Sequence, residues 1–177
     1  MANFTKVSRR SLLRGAAAAT TALAAPTIFT SKAWAAGYTN EPKGSTVTLG
    51  FNVPQTGAYA DEGADELRAY QLAVEHINGE GDGGMLNTFS SKALTGAGVN
   101  GKKVVFVTGD TQTKSDAARA SAKRMIEKDG AVMITGGSSS GVAIAVQGLC
   151  QDAGVIFMAG LTHSNDTTGK DKRANGF

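Results

Sequence analysis

The chain has 177 residues and a formal charge of +3, but the basic excess is local. Residues 1–35 carry Lys6, Arg9, Arg10, Arg14 and Lys32 with no acid, a contribution of +5 that leaves −2 for the rest. That balance, with no aromatic and basic cluster after residue 35, argues against a nucleic-acid surface. Cys150 is the only cysteine, which excludes an intramolecular disulfide, and His76 and His163 match no zinc spacing. Neither a metal nor another cofactor is expected.

The first element in the chain is a leader. Ser8-Arg9-Arg10-Ser11-Leu12-Leu13-Arg14 sets paired arginines before the uncharged run 15–29, and Ala33-Trp34-Ala35 supplies a small-x-small exit. The run is too short and too rich in Ala and Thr to span roughly 30 Å of hydrocarbon. Residues 1–35 are therefore expected to be an export signal cleaved between Ala35 and Ala36. The arginine pair points to the twin-arginine (Tat) route, which makes the Tat translocase a partner during export to the periplasm.

About 140 residues follow, enough for one modest core. The β-branched alternation over 47–53 predicts a strand between Gly44 and Pro54. From Asp61 the period becomes helical. Leu67, Tyr70, Val74 and Ile77 form one apolar stripe, while Asp65, Glu66, Arg68 and Glu75 are expected to point elsewhere, and Asn78-Gly79 stops the helix. Residues 79–101 read as a long surface connection. Its acidic glycine-rich start, 79–84, lacks the ligand spacing and closing Glu of a calcium loop.

The apolar run 104–107 predicts a second strand, covered on both faces. A helix is expected from Ser115 to about Lys128 with Ala118, Ala122, Met125 and Ile126 inward. A strand over 131–134, a helix over 141–152 containing a buried Cys150, and a strand over 155–158 complete the series. Alternating strands and helices with right-handed crossovers give an α/β fold with a doubly wound parallel sheet. Ligands of such sheets sit beyond the carboxyl ends of the strands. The loops after Val53, Ile134 and Met158 lie there and are rich in Gly, Ser and Thr.

Gly136-Gly137-Ser138-Ser139-Ser140 is the sharpest chemical feature. Before a helix it is suited either to an anion, through free N–H groups and the dipole, or simply to N-capping by Ser139 or Ser140. No Lys-Ser/Thr pair closes it as a phosphate loop, and no His or acid in the expected order makes it a nucleophile elbow.

Together with the strand 47–53 and Gln55-Thr56-Gly57, the helix through Ala69-Tyr70-Gln71-Leu72-Ala73-Val74-Glu75-His76-Ile77-Asn78 and Gly109-Asp110-Thr111, this loop resembles the periplasmic solute-binding proteins of branched-chain amino acid and amide ABC importers, over about 45–168. The resemblance implies two α/β lobes on a hinge, with residues 36–177 forming part of the N-terminal lobe. The sequence stops in the polar stretch 170–177, before the next element expected of such a lobe. It also implies a non-enzymatic protein that captures a small-molecule ligand and delivers it to a permease in the inner membrane. In relatives of this type a serine at the start of the helix after the third strand holds the ligand carboxylate. That serine is most similar to Ser140, with Ser139 next, and Leu161 and Thr162 fall in the assisting loop after the fourth strand.

One position departs from the pattern. Where leucine-type binders place an aromatic residue, this sequence has Glu62, with Tyr59 nearby. An acid there disfavours a purely aliphatic pocket, unless Glu62 is only a solvated first-turn acid. The same loops also suit a ligand-sensing domain, or an exported enzyme using the serine loop. A second α/β lobe downstream favours a binder, a transmembrane helix a receptor, and a catalytic His/Asp pair an enzyme.

Overall fold

The computed structural model describes residues 39–42, 44–80 and 98–177; the leader 1–35 and most of the connection, 81–97, lie outside the described residues. Four strands, β1 (Thr46–Val53), β2 (Lys103–Asp110), β3 (Met133–Gly136) and β4 (Ile156–Ala159), form one parallel sheet in the order β2-β1-β3-β4. They alternate with helices α1 (Ala60–Ile77), α2 (Ser115–Glu127) and α3 (Ser140–Asp152), and a 3-10 turn spans Asn165–Thr167. No described helix is long and apolar enough to cross a membrane.

Side-chain alternation along the strands separates two cores. On one face Phe51 and Val104 pack against Val74 of α1, with Leu67, Tyr70 and Ile77 half-buried beside them. This is the stripe that the helical period predicts. On the other face Ala118, Ala122, Met125 and Ile126 of α2 meet Val142, Val146 and Cys150 of α3 over Ile134 and Phe157. Burying each of the larger apolar side chains contributes about 1.5–3 kcal/mol. Burial pushes the Cys150 thiol up to about 12, so it is an inert core group.

The bounds of β2 and β3 depart from expectation by two residues or more, and each departure has a cause. β2 runs on to Asp110 because Thr108, Gly109 and Asp110 pair in register with Phe51, Asn52 and Val53. It is also an edge strand, and Val105–Thr108 are half-buried rather than covered on both faces. β3 lies two residues later than its apolar run. Thr135 and Gly136 pair with both neighbours, whereas Ala131 is buried without joining the ladder.

The sheet edges are both blunted. Asn78 donates to Val104 O and accepts from Val104 N, each at 2.8 Å, covering β2. The outer edge of β4 is taken by Asn175–Phe177. Phe157 N donates to Asn175 O, Phe177 N to Phe157 O, and Ala159 N to Phe177 O. Gln147, buried in α3, secures that return by donating to Thr167 O and accepting from Arg173 N.

Candidate functional site

Parallel strands aim their carboxyl ends, Val53, Asp110, Gly136 and Ala159, toward one end of the sheet, and the loops there meet. Asp110 orders the first loop. Its carboxylate accepts from the Thr56 hydroxyl (2.6 Å) and from the backbone N–H groups of Gln55, Thr56 and Gln112. Partial burial works to raise its pKa, but these bonds outweigh it and hold the carboxyl below its usual range.

The loop after β3 needs glycine. Gly136 has φ +116°, and a Cβ there would stand 2.4 Å from Asn52 O. The turn drops Ser138 into the interior and delivers Ser139 to the N-cap of α3. Ser139 makes no side-chain cap bond. Ser140, the first residue of α3, accepts from the N–H groups of His163 (3.1 Å) and Ser164 (3.0 Å), and so ties the loop after β4 to α3. With its lone pairs engaged, its hydroxyl proton is the group left to donate.

Glu62, in the first turn of α1, stands 3.3 Å from Nε2 of His163 through its Oε1. Ser140, the loop holding Thr162 and His163, and Glu62 are thus joined by contacts. Thr162 is half-buried in that loop, and Leu161 is exposed. Tyr59, the N-cap of α1, is exposed, and its backbone N–H donates to Thr113 Oγ1 at 3.4 Å. No side-chain hydrogen bond or ion pair joins Tyr59 or Ser139 to the Glu62–His163–Ser140 set among the described residues.

Glu66 overturns an expectation. Rather than pointing away from the core, it is 3% exposed. Its Oε1 accepts from Tyr70 Oη (2.6 Å) and its Oε2 from Ser138 Oγ (3.1 Å), while Thr135 donates to the Tyr70 oxygen (3.2 Å). Burial, reinforced by the Glu66 contact, raises the Tyr70 phenol well above its usual range. The sequence held a sign of this: Glu66, Tyr70 and Val74 are spaced i, i+4, i+8 on the stripe facing the sheet. Charge alone had suggested solvent. His163 carried no comparable sign beyond its place in the loop.

Beside this network a groove of about 270 Å³ lies between α1 and the loop after β4, walled by Asp65, Glu66, Ala69, Tyr70, Gly160 and Leu161. No grouping of His, Cys, Asp and Glu suited to a metal occurs among the described residues.

A parallel α/β lobe gathers its hydroxyl-rich loops beyond the carboxyl ends of its strands, the place where sheets of this kind bind ligands. The sequence profile of the periplasmic binding proteins matches residues 46–177. The chain belongs to that family.

Among curated relatives, the Leu/Ile/Val-binding protein homolog 7 of Brucella abortus (strain 2308) is 31% identical over 116 residues, 66% of this chain and 25% of the relative. An amino acid binding protein of Pseudomonas aeruginosa is 29% identical over 110 residues, 62% of this chain and 25% of the relative. The chain thus spans a quarter of the length of these relatives. Among solved structures, the branched-chain amino acid transporter substrate binding protein LivJ of Streptococcus pneumoniae, in complex with isoleucine, superposes with a TM-score of 0.60 at 22% identity. The match covers 75% of this chain and 33% of that one. A solute binding protein of Rhodopseudomonas palustris BisB5, in complex with 3,4-dihydroxy benzoic acid, gives 0.59 at 21%, covering 75% and 31%. These likenesses establish the fold: part of the architecture of two-lobed periplasmic binding proteins.

Proposed function

We propose that this chain is the ligand-receiving part of the N-terminal lobe of a periplasmic solute-binding protein, the capture component of an amino-acid-type ABC importer. It takes up a small polar metabolite, an amino acid, amide or related carboxylate, and hands it to a permease in the inner membrane without chemical change. Ser140 carries the reading. Its hydroxyl, already accepting two backbone N–H bonds, has its proton to give, at the N-terminus of α3 where the helix dipole favours an anion. A ligand carboxylate supplies the matching acceptor. Thr162 and Leu161 complete the first-lobe contacts from the β4 loop, with Ser139 adjacent and Tyr59 and Glu62 opposite. Closure of a second lobe on a hinge buries the ligand. The names of the Brucella and Pseudomonas relatives, an amino-acid theme, support the substrate class.

The test is a thermal-shift screen of the full-length protein carrying this chain, against amino acids, amides and small carboxylates. A binder at a hundred times its Kd stabilises by about 2.7 kcal/mol. A hit that Ser140→Ala weakens supports the site. Turnover of the ligand, or no hit in the whole set, defeats the reading.

A further inference from the structure

We infer that Glu62 and His163 form the specificity end of the ligand site, and that they select ligands bearing an N–H donor, cationic or amide, over ligands ending in a branched aliphatic group. The inference rests on the reading of the chain as the first lobe of an amino-acid-type binder and narrows it.

The geometry carries the argument in three steps. First, Ser140 Oγ accepts from the backbone N–H of His163, so the histidine's place is fixed by the residue that faces the ligand carboxylate. Second, the imidazole extends from that anchor to Glu62, Nε2 to Oε1 at 3.3 Å, bridging the loop after β4 and the first turn of α1. Glu62 is only 31% exposed, whereas His163 is 63% exposed, so the acid is partly shielded where the loops meet. Third, Asp65 and Ala69 wall the groove together with Leu161, and Glu62 lies three residues before Asp65, about one turn earlier along the same side of α1. Glu62 therefore stands about one helical turn beyond the residues that wall the groove, and its contact with His163 engages Oε1 and leaves Oε2 for a ligand.

A ligand that extends from this groove toward the start of α1 meets a carboxylate there. An N–H donor replaces the water that Glu62 loses when the site closes. An aliphatic terminus strips the water and replaces nothing, and a desolvated acceptor left unpaired costs about tenfold to a hundredfold in affinity. Sites built around a buried polar group discriminate strongly for this reason, whereas apolar pockets do so weakly.

The experiment is calorimetric titration of the full-length protein with L-arginine, L-glutamine, L-leucine and L-valine, for the unaltered protein, Glu62→Gln, Glu62→Leu and His163→Ala. Arginine or glutamine is expected to bind at least about tenfold tighter than leucine and valine. Glu62→Leu should collapse that ratio, and Glu62→Gln should lower the arginine affinity while leaving the leucine affinity within about twofold. The ratio is the readout because damage to the fold weakens all four together. His163→Ala frees Oε1 as a second acceptor and should change the arginine affinity more than the leucine affinity. Leucine or valine binding as tightly as arginine and glutamine overturns the inference alone. So does a uniform loss across the four in Glu62→Gln. Binding of none of the four overturns the inference, and no hit in the wider screen of amino acids, amides and small carboxylates removes the underlying reading as well.

Discussion

Gly160 and Glu66 touch in a way that permits no side chain at position 160: a Cβ there would lie 2.5 Å from Glu66 Oε1 and 2.1 Å from Tyr70 Oη. The backbone leaving β4 therefore rests directly on the buried hydroxyl and carboxyl pair of α1. Side-chain tips can often move aside, but these are committed to one another and to Ser138 and Thr135. Gly160→Ala should cost about 1–3 kcal/mol by overpacking. In a Tyr70→Phe background, where the nearest clashing atom is gone, the added cost should be smaller. Additive losses in chemical denaturation of the four proteins would show that the two residues are not in the contact described.

Ser140 ties the loop after β4 to α3, and in the proposed reading it also donates to the ligand, so its substitution should touch both stability and binding. Ser140→Ala leaves the N–H groups of His163 and Ser164 without their acceptor, and removes the donor assigned to the ligand carboxylate. Affinity should fall about tenfold to a hundredfold, and stability by about 1 kcal/mol. Thr162→Ala should weaken ligand binding alone, and Ser138→Ala chiefly stability, because Ser138 is buried against Glu66. Unchanged affinity in both Ser140→Ala and Thr162→Ala removes the carboxylate assignment and leaves the fold intact.

The parts of this fold legible in the sequence were those where one interaction dominates. The stripe Leu67, Tyr70, Val74, Ile77 and the inward set Ala118, Ala122, Met125, Ile126 are decided by burial of a helix face, which periodicity reports directly. β3 was displaced because Ala131 is apolar for packing, whereas Thr135 and Gly136 pair within the ladder despite reading as a turn. Of the site, the hydroxyl loops were visible through the topology. Glu66 was hidden because a carboxyl group satisfied by two hydroxyls is indistinguishable, in composition, from a solvated one. The Glu62–His163 contact joins residues a hundred positions apart and leaves no local trace.

The export reading has its own test. In that reading the paired guanidinium groups of Arg9 and Arg10 are what a translocon receptor recognises, and lysine keeps only the charge. Replacing both by Lys should hold the precursor in the cytoplasm, which fractionation with an antibody detects. The processed protein should begin at Ala36 by N-terminal sequencing. Normal periplasmic delivery of the double variant, or a distant N-terminus, contradicts the leader assignment.

Asp110 predicts a pH dependence whose sign is fixed by its bonds. The carboxylate form accepts from Thr56 Oγ1 and from three backbone N–H groups, so the folded state lowers its pKa below the ordinary 3.8. A group lowered in this way binds fewer protons folded than unfolded. Its contribution to stability is complete at pH values well above 3.8 and is lost as pH falls from there through the lower folded value. Asp110→Ala should destabilise by about 1–2 kcal/mol near neutrality, the scale of a few surface bonds to a charged acceptor. The gap between variant and parent should narrow as denaturation is repeated below the ordinary carboxylate range. A gap that stays constant down to acid pH would mean that the charge of Asp110 is not what organises the first loop. Because that loop leads into Tyr59 and Glu62 at the start of α1, the same variant should also weaken ligand binding at neutral pH.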